Sequence, residues 1–216
     1  MHFGFLLFPQ TEELDLIGPW EMANVWRQIA GGPENCLIVA RSMEPVVCAK
    51  GLSINPHTTY ADCPKLDYLL VPGGVGTRTE ANEADTVDFI RRQAAHCKAV
   101  LSVCTGSFLL HAAGLLTRKK TTTHWGSLDR LRDLGEVEIV EDRYVQNGKI
   151  WCSAGVSAGI DMTLRFIAHE AGDETAGNVQ MYAEYFPDPV VYGEIAAQPG
   201  SPEYVKKHYE SRRSSR

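Results

Sequence analysis

The sequence predicts a doubly wound α/β fold, a mostly parallel sheet with helices on both faces. Three observations predict it. Short apolar runs of strand length, such as "FGFLLF", "YLLV" and "AVLSV", carry almost no polar residues, as strands buried on both faces do. These runs alternate along the chain with segments of helical period. No repeat, low-complexity tract or internal linker interrupts the alternation. One domain is therefore expected over residues 1–190, with residues 191–216 a C-terminal extension or tail.

The elements follow in order. "FGFLLF" reads as the first buried strand, and the stretch from Gly18 to about Ala30 as a helix with Pro19 just inside its start, where a missing N–H costs nothing. "NCLIVAR" and "PVVCA" are short strands, and "GLSINPH" pairs with the second. "LDYLLVPGG" is a strand closed by a Pro-Gly-Gly turn. "ADTVDFIRRQAAHC" is helical, "AVLSV" is the next buried strand, and "GSFLLHAAGLL" the next helix; a short helix follows "THW". "VEIVEDRYVQNGKIWCSAG" alternates and turns at Asn147–Gly148, a hairpin signal. "AGIDMTLRFIAHEAG" and "ETAGNVQMYAEYF" are the last two helices. Beyond Pro187 the pattern is lost, and the basic "VKKHYESRRSSR" reads as a solvated, frayed end.

Composition narrows the function classes. The chain has 216 residues and a formal net charge of −6, enough for a sizeable core and a poor match to nucleic acid as a partner. No apolar run approaches the roughly 20 residues of a membrane span. The N-terminus lacks a basic flank and a cleavage site, so it reads as a strand and not a leader. The six cysteines, Cys36, Cys48, Cys63, Cys97, Cys104 and Cys152, are scattered without a C-x-x-C pair. That argues against a zinc cluster or a disulfide framework, and for free thiols in a reducing cytoplasm.

In a doubly wound sheet, ligands sit beyond the carboxyl ends of the strands. Three loops are expected to meet there: the one around Asp15, the Gly73–Gly74 loop, and the turn at Cys104. Cys104 stands between a buried strand and a helix, the kind of elbow that pushes a side chain out over the sheet edge. The positive end of the following helix is expected to favour thiolate. Small Thr105, Gly106 and Ser107 leave the backbone amides approachable. A buried structural cysteine is the other reading; the elbow position favours the reactive one. Thr105 follows the cysteine, so a histidine neighbour is absent there. His111 lies about two helical turns on and out of reach. His124, in "TTTHW", is nearer the same edge, with a supporting role favoured over a reacting one. Asp15 lies between Leu14 and Leu16, where desolvation would raise its pKa and let it donate a proton. An N-cap or turn role is the alternative, and the local sequence by itself leans to it. Glu21 is a second acidic candidate, expected on a solvent face.

The motifs "GFLLFP", "LDLIGP", "VPGGVG", "SVCTGS", "AAGLL", "TTHW" and "SAGID" together resemble the ThiJ/PfpI superfamily, over roughly residues 3–186. The resemblance is strongest to its isocyanide-hydrating branch. It implies a flavodoxin-like sheet with Cys104 as nucleophile and Asp15 as its acid/base partner. Gly74, Thr105 and Val156 would hold the substrate, Val156 through a backbone N–H to the sulfur. Ser153 and Ala154 depart from the glycine-rich pattern of the loop beside the nucleophile. No metal and no organic cofactor are implied.

The implied reaction adds water to an isocyanide through a Cys104 thioimidate and releases an N-substituted formamide. Trp20, Trp125 and Phe108 are candidate walls of an apolar pocket for the R group, with plain core the more common role for each. The resemblance also implies a homodimer, to which the apolar residues of "NVQMYAEYF" and "LDLIGPWEM" add modest support. Two other readings stay open: a glyoxalase- or deglycase-like enzyme on reactive carbonyls, and a stand-alone cysteine-based redox or ligand sensor. A peptidase is disfavoured by Thr105, and a transcriptional sensor by the lack of room for a DNA-binding domain.

Overall fold

A computed structural model of the chain describes residues 1–187 and 192–213. Residues 188–191 and 214–216, which fall within the expected loss of pattern and the expected frayed end, lie outside them. The main sheet has seven strands. They are β1 (His2–Leu6), β2 (Asn35–Ala40), β5 (Thr58–Thr59), β6 (Tyr68–Val71), β7 (Ala99–Val103), β10 (Tyr144–Asn147) and β11 (Ile150–Ser153), in the order β10-β11-β7-β6-β1-β2-β5. All neighbours are parallel except β10 and β11, which form the hairpin expected at Asn147–Gly148, with Gly148 at φ 61°. Two small ladders stand apart: β3 (Val46–Val47) with β4 (Ser53–Ile54), as expected, and β8 (Lys119–Thr121) with β9 (Val137–Ile139).

The period-two rule sorts the strands into two cores. Phe3, Phe5 and Leu7, with Tyr68, Leu70, Leu101, Val103 and Trp151, face the layer of α1 (Glu13–Ile29), α6 (Ala158–Ala171) and α7 (Asp173–Tyr182). Leu6, Phe8, Leu69, Val71 and Val100 face the opposite layer. That layer holds α3 (Ala84–His96) and α4 (Gly106–Ala112), through Phe89, Ile90, Leu109 and Leu110. Short helices α2 (Thr77–Glu80) and α5 (Leu128–Asp133) lie near the carboxyl ends of the strands. Among the described residues, no helix is long and apolar enough to cross a membrane.

Four features differ from the sequence reading. Helix α1 starts at Glu13, five residues before the expected Gly18, so Pro19 sits inside the helix and Asp15 is in its first turn. Tertiary contacts draw the helix back: Glu13 Oε1 accepts from Lys50 N at 2.6 Å and Glu12 pairs with the Lys50 ammonium. The bond Pro19 cannot make would have gone to Asp15 O. Helix α4 ends at Ala112, because Gly114 takes φ 75° and closes it. "VEIV" joins the β8–β9 ladder rather than the hairpin. Lastly, the C-terminal segment forms α8 (Glu203–Arg213). Tyr204 and Val205, with His208 and Tyr209 one turn on, line a groove with Tyr185 and Phe186 at the end of the α7 region. Its many charged residues hide this short apolar face from a pattern search.

Candidate functional site

Strand β7 ends at Val103, and the chain reverses into α4 through Cys104, which takes φ 54°. For a residue with a Cβ this left-handed backbone is costly, and the neighbourhood holds it in place. Cys104 N donates to Ser153 O at 3.2 Å and Ala154 O at 3.1 Å. Its carbonyl accepts from Thr123 Oγ1 at 2.8 Å and Ser107 Oγ at 3.3 Å. Gly106 permits the turn: a Cβ there would lie 2.2 Å from Val71 O. Thus Thr123 and Ser153, which the sequence did not single out as fixing residues, pin the elbow. The signal available for Thr123 was its place in "TTHW".

The three expected loops do meet. Gly73 N donates to Asp15 Oδ2 at 2.9 Å, and Glu12 N donates to Gly73 O at 2.9 Å. Gly74 N donates to Thr105 Oγ1 at 3.0 Å, while the Thr105 hydroxyl donates to Gly74 O at 3.1 Å. The packing leaves no space for a side chain at Gly73, where a Cβ would meet Thr105 N at 2.5 Å and Asp15 Oδ2 at 2.7 Å. Asp15 is wholly buried. Its Oδ1 has no partner in hydrogen-bond geometry, although the Cys104 thiol is close enough to act on the carboxyl. Glu21 is exposed, as expected.

Electrostatics follow from this burial. Loss of water around Asp15, opposed by the Gly73 amide, lifts its carboxyl to about 7. The Cys104 thiol is pushed up to about 12, first by burial and then by the Asp15 charge; the Thr105 amide and hydroxyl and the Val156 amide pull the other way. The expected thiolate preference is therefore corrected. Helix α4 has seven residues, and its dipole is outweighed by desolvation and by a carboxylate next door. Below about pH 7 Asp15 is protonated as well as the thiol; when the pair shares a single proton, that proton sits on sulfur. When that proton passes to Asp15, the repulsion that opposed the thiolate disappears with it.

Cys104 opens onto a cavity of about 230 Å³ lined by Glu12, Gly74, Val75, Arg78, Thr105, His124, Ser127, Arg130 and Val156. So Gly74, Thr105 and Val156 line it together with Cys104, and Asp15 stands behind the sulfur. Val156 takes φ 49°, an unusual value for a β-branched residue, and its N–H points to the sulfur. His124 is half buried, its Nδ1 accepts from Gly126 N at 3.2 Å, and desolvation lowers its pKa. Its ring fills the space beside Gly155, where a Cβ would meet His124 Cδ2 at 2.4 Å. None of the three aromatic candidates lines this cavity. Trp20 stacks on His57 with ring centroids 5.4 Å apart, Trp125 tilts against His124, and Phe108 lies in an adjoining groove. His111 lines that groove and not the Cys104 cavity. Arg78, Arg130, Glu12, Val75 and Ser127 were missed by sequence reasoning. Only Arg78 and Val75 carried a signal, their closeness to the "VPGGVG" turn.

The DJ-1/PfpI family profile matches residues 2–169. Isonitrile hydratase of Pseudomonas putida is 43% identical over 190 residues, 88% of this chain and 80% of its own. The crystal structure of a ThiJ/PfpI family protein from Pseudomonas syringae superposes with a TM-score of 0.83 at 33% identity, covering 99% of this chain and 86% of that one. Drosophila melanogaster DJ-1beta has a TM-score of 0.76 at 20% identity over 86% of this chain and 98% of its own, a likeness of fold alone. On the profile and on these relatives, the chain belongs to the DJ-1/PfpI family.

Proposed function

We propose that this protein hydrates isocyanides, with Cys104 as nucleophile and Asp15 as its proton relay. The observation that carries the reading is the pair itself. A cysteine is held at positive φ over a cavity, with a fully buried carboxyl beside it whose pKa of about 7 suits proton transfer in both directions. The 43% identity to an isonitrile hydratase supports the substrate class. Asp15 takes the thiol proton, and the thiolate attacks the terminal carbon of R–N≡C. Asp15 returns the proton to that carbon, giving a thioimidate, R–N=CH–S–Cys104. Water then adds to the same carbon. Asp15 removes a water proton and delivers it to nitrogen. It takes the hydroxyl proton as the C–S bond breaks, and hands it to the departing sulfur. The sum is R–NC plus water giving R–NH–CHO. The amides of Thr105 and Val156 support negative charge at sulfur, and Gly74 and Thr105 bound the space where the isocyanide lies.

The protein is read as a cytoplasmic homodimer. Its six cysteines are free thiols, as a reducing compartment keeps them. Leu14 (40% exposed) on α1, with Met181 (68%), Tyr182 (61%) and Phe186 (67%) at the end of α7, offers apolar surface that a partner would cover. The two helices pack on each other, which makes their surfaces neighbours. An interface there would adjoin the helix that carries Asp15.

A single assay tests the reading. The protein is mixed in parallel with an aryl isocyanide and with methylglyoxal. Formation of the N-aryl formamide is expected. Lactate from methylglyoxal without formamide would overturn hydration in favour of a glyoxalase-like activity.

A further inference from the structure

Among the described residues, two arginines at the Cys104 cavity have no carboxylate counter-ion. Arg78 and Arg130 both line the cavity of about 230 Å³ that holds Cys104 and an adjoining groove of about 400 Å³, so they form the wall the two spaces share. Neither makes an ion pair or a side-chain hydrogen bond with a carboxylate among the described residues. Arg130 is half buried, and its guanidinium lies 4.1 Å from the centroid of the Phe108 ring, a cation–π contact. Each lies in the other's field: Arg78 lowers the pKa of Arg130, with burial as the larger cause. Two like charges at one cavity repel each other, solvent screens that repulsion, and an anion bound between them would relieve it. Glu12 is the one carboxylate that lines either space among the described residues, and its charge is engaged by Lys50. Phe108, Ala81, Ala112 and Leu134 give the groove an apolar stretch, beside the polar Thr77, Asn82 and His111.

We infer that Arg78 and Arg130 form a carboxylate-binding subsite and that the natural substrates are isocyano-carboxylates, with the isocyanide carbon at Cys104 and any apolar side chain in the Phe108–Leu134 groove. The guanidinium fork suits a carboxylate and not a neutral substituent. This deepens the hydration reading and rests on it for the reacting group. The products are then N-formyl amino acids, which a deformylating amidohydrolase would consume.

The test compares isocyanoacetate with methyl isocyanoacetate, which differ by one charge at the same place. In the parent protein, kcat/KM for the anion is expected to exceed that for the ester. Arg78→Gln and Arg130→Gln each lower the anion-to-ester ratio by about tenfold or more, the size expected for charge-assisted bonds, and Arg130→Lys restores part of it. A merely structural role would lower both substrates together and leave the ratio unmoved. Arg78 is exposed, so its variant carries the test if Arg130→Gln fails to fold. Calorimetry with N-formylglycine and its methyl ester supplies a readout free of turnover. Arg78-dependent binding of the acid supports the subsite even if no isocyanide is consumed, a result that sinks hydration alone. Turnover of both isocyanides with no preference for either anion overturns the subsite and leaves hydration standing.

Discussion

Replacing Asp15 by Asn separates what the carboxyl does for the reaction from what it costs the fold. Burial lifts this carboxyl from 3.8 to about 7. In the unfolded chain it ionises near its ordinary value, so between pH 4 and 7 the unfolded state has lost a proton that the folded state keeps. Stability from this group is therefore fully present below about pH 4 and is lost as the pH rises through about 7. At about 1.4 kcal/mol per tenfold step, the whole change is roughly 4 kcal/mol. Asn cannot ionise, yet its carbonyl can still accept from the Gly73 amide. The predicted observable is the difference in unfolding free energy between Asp15→Asn and the parent, measured by urea denaturation at pH 4 and pH 8. It should move by about 4 kcal/mol in favour of the variant. Other carboxylates titrate alike in both proteins and cancel. Formamide production should fall by about a hundredfold or more in the same variant. A difference that stays flat across this range would refute the buried, neutral Asp15. A variant that turns over like the parent would refute its part in proton transfer.

Three further outcomes are expected. Cys104→Ala should abolish formamide production while the far-UV spectrum stays that of the parent; substantial residual turnover rules out the covalent route. Gly106→Ala forces a methyl group against Val71 O, and should lower the melting temperature on the order of 5 °C or more with a parallel loss of activity. A melt that matches the parent would show that the elbow has slack. Sedimentation at micromolar concentration should give the mass of two chains, and Met181→Glu with Phe186→Glu should shift it toward one. A parent that sediments as a single chain overturns the dimer.

What the sequence determined by itself is local in origin. Uninterrupted apolar runs alternating with helical periods decided the class of fold, because strands covered on both faces have no polar side to display. The break from "AVLSV" to "TGS" placed Cys104 at a strand-to-helix elbow, and Asn147–Gly148 placed the hairpin. These signals span a few neighbouring residues, so a linear reading captures them. Tertiary structure decided the rest. Asp15 stands in the first turn of a helix, where an acid is ordinary. It becomes a buried carboxyl only because Gly73, 58 positions away in sequence, closes over it. Whether Cys104 rests as thiol or thiolate depended on the sum of desolvation, a neighbouring carboxylate and three amide and hydroxyl contacts, and no single motif encodes that sum. Trp20 and Trp125 were plausible walls by type, yet packing directed them elsewhere, while Phe108 lines the adjoining groove and not the Cys104 cavity itself. The cavity walls came instead from Arg78 and Arg130, which lie on separate helices, α2 and α5, and acquire meaning only as a pair. Charge compensation is a property of what surrounds a side chain in space, and it was legible only once the chain was folded.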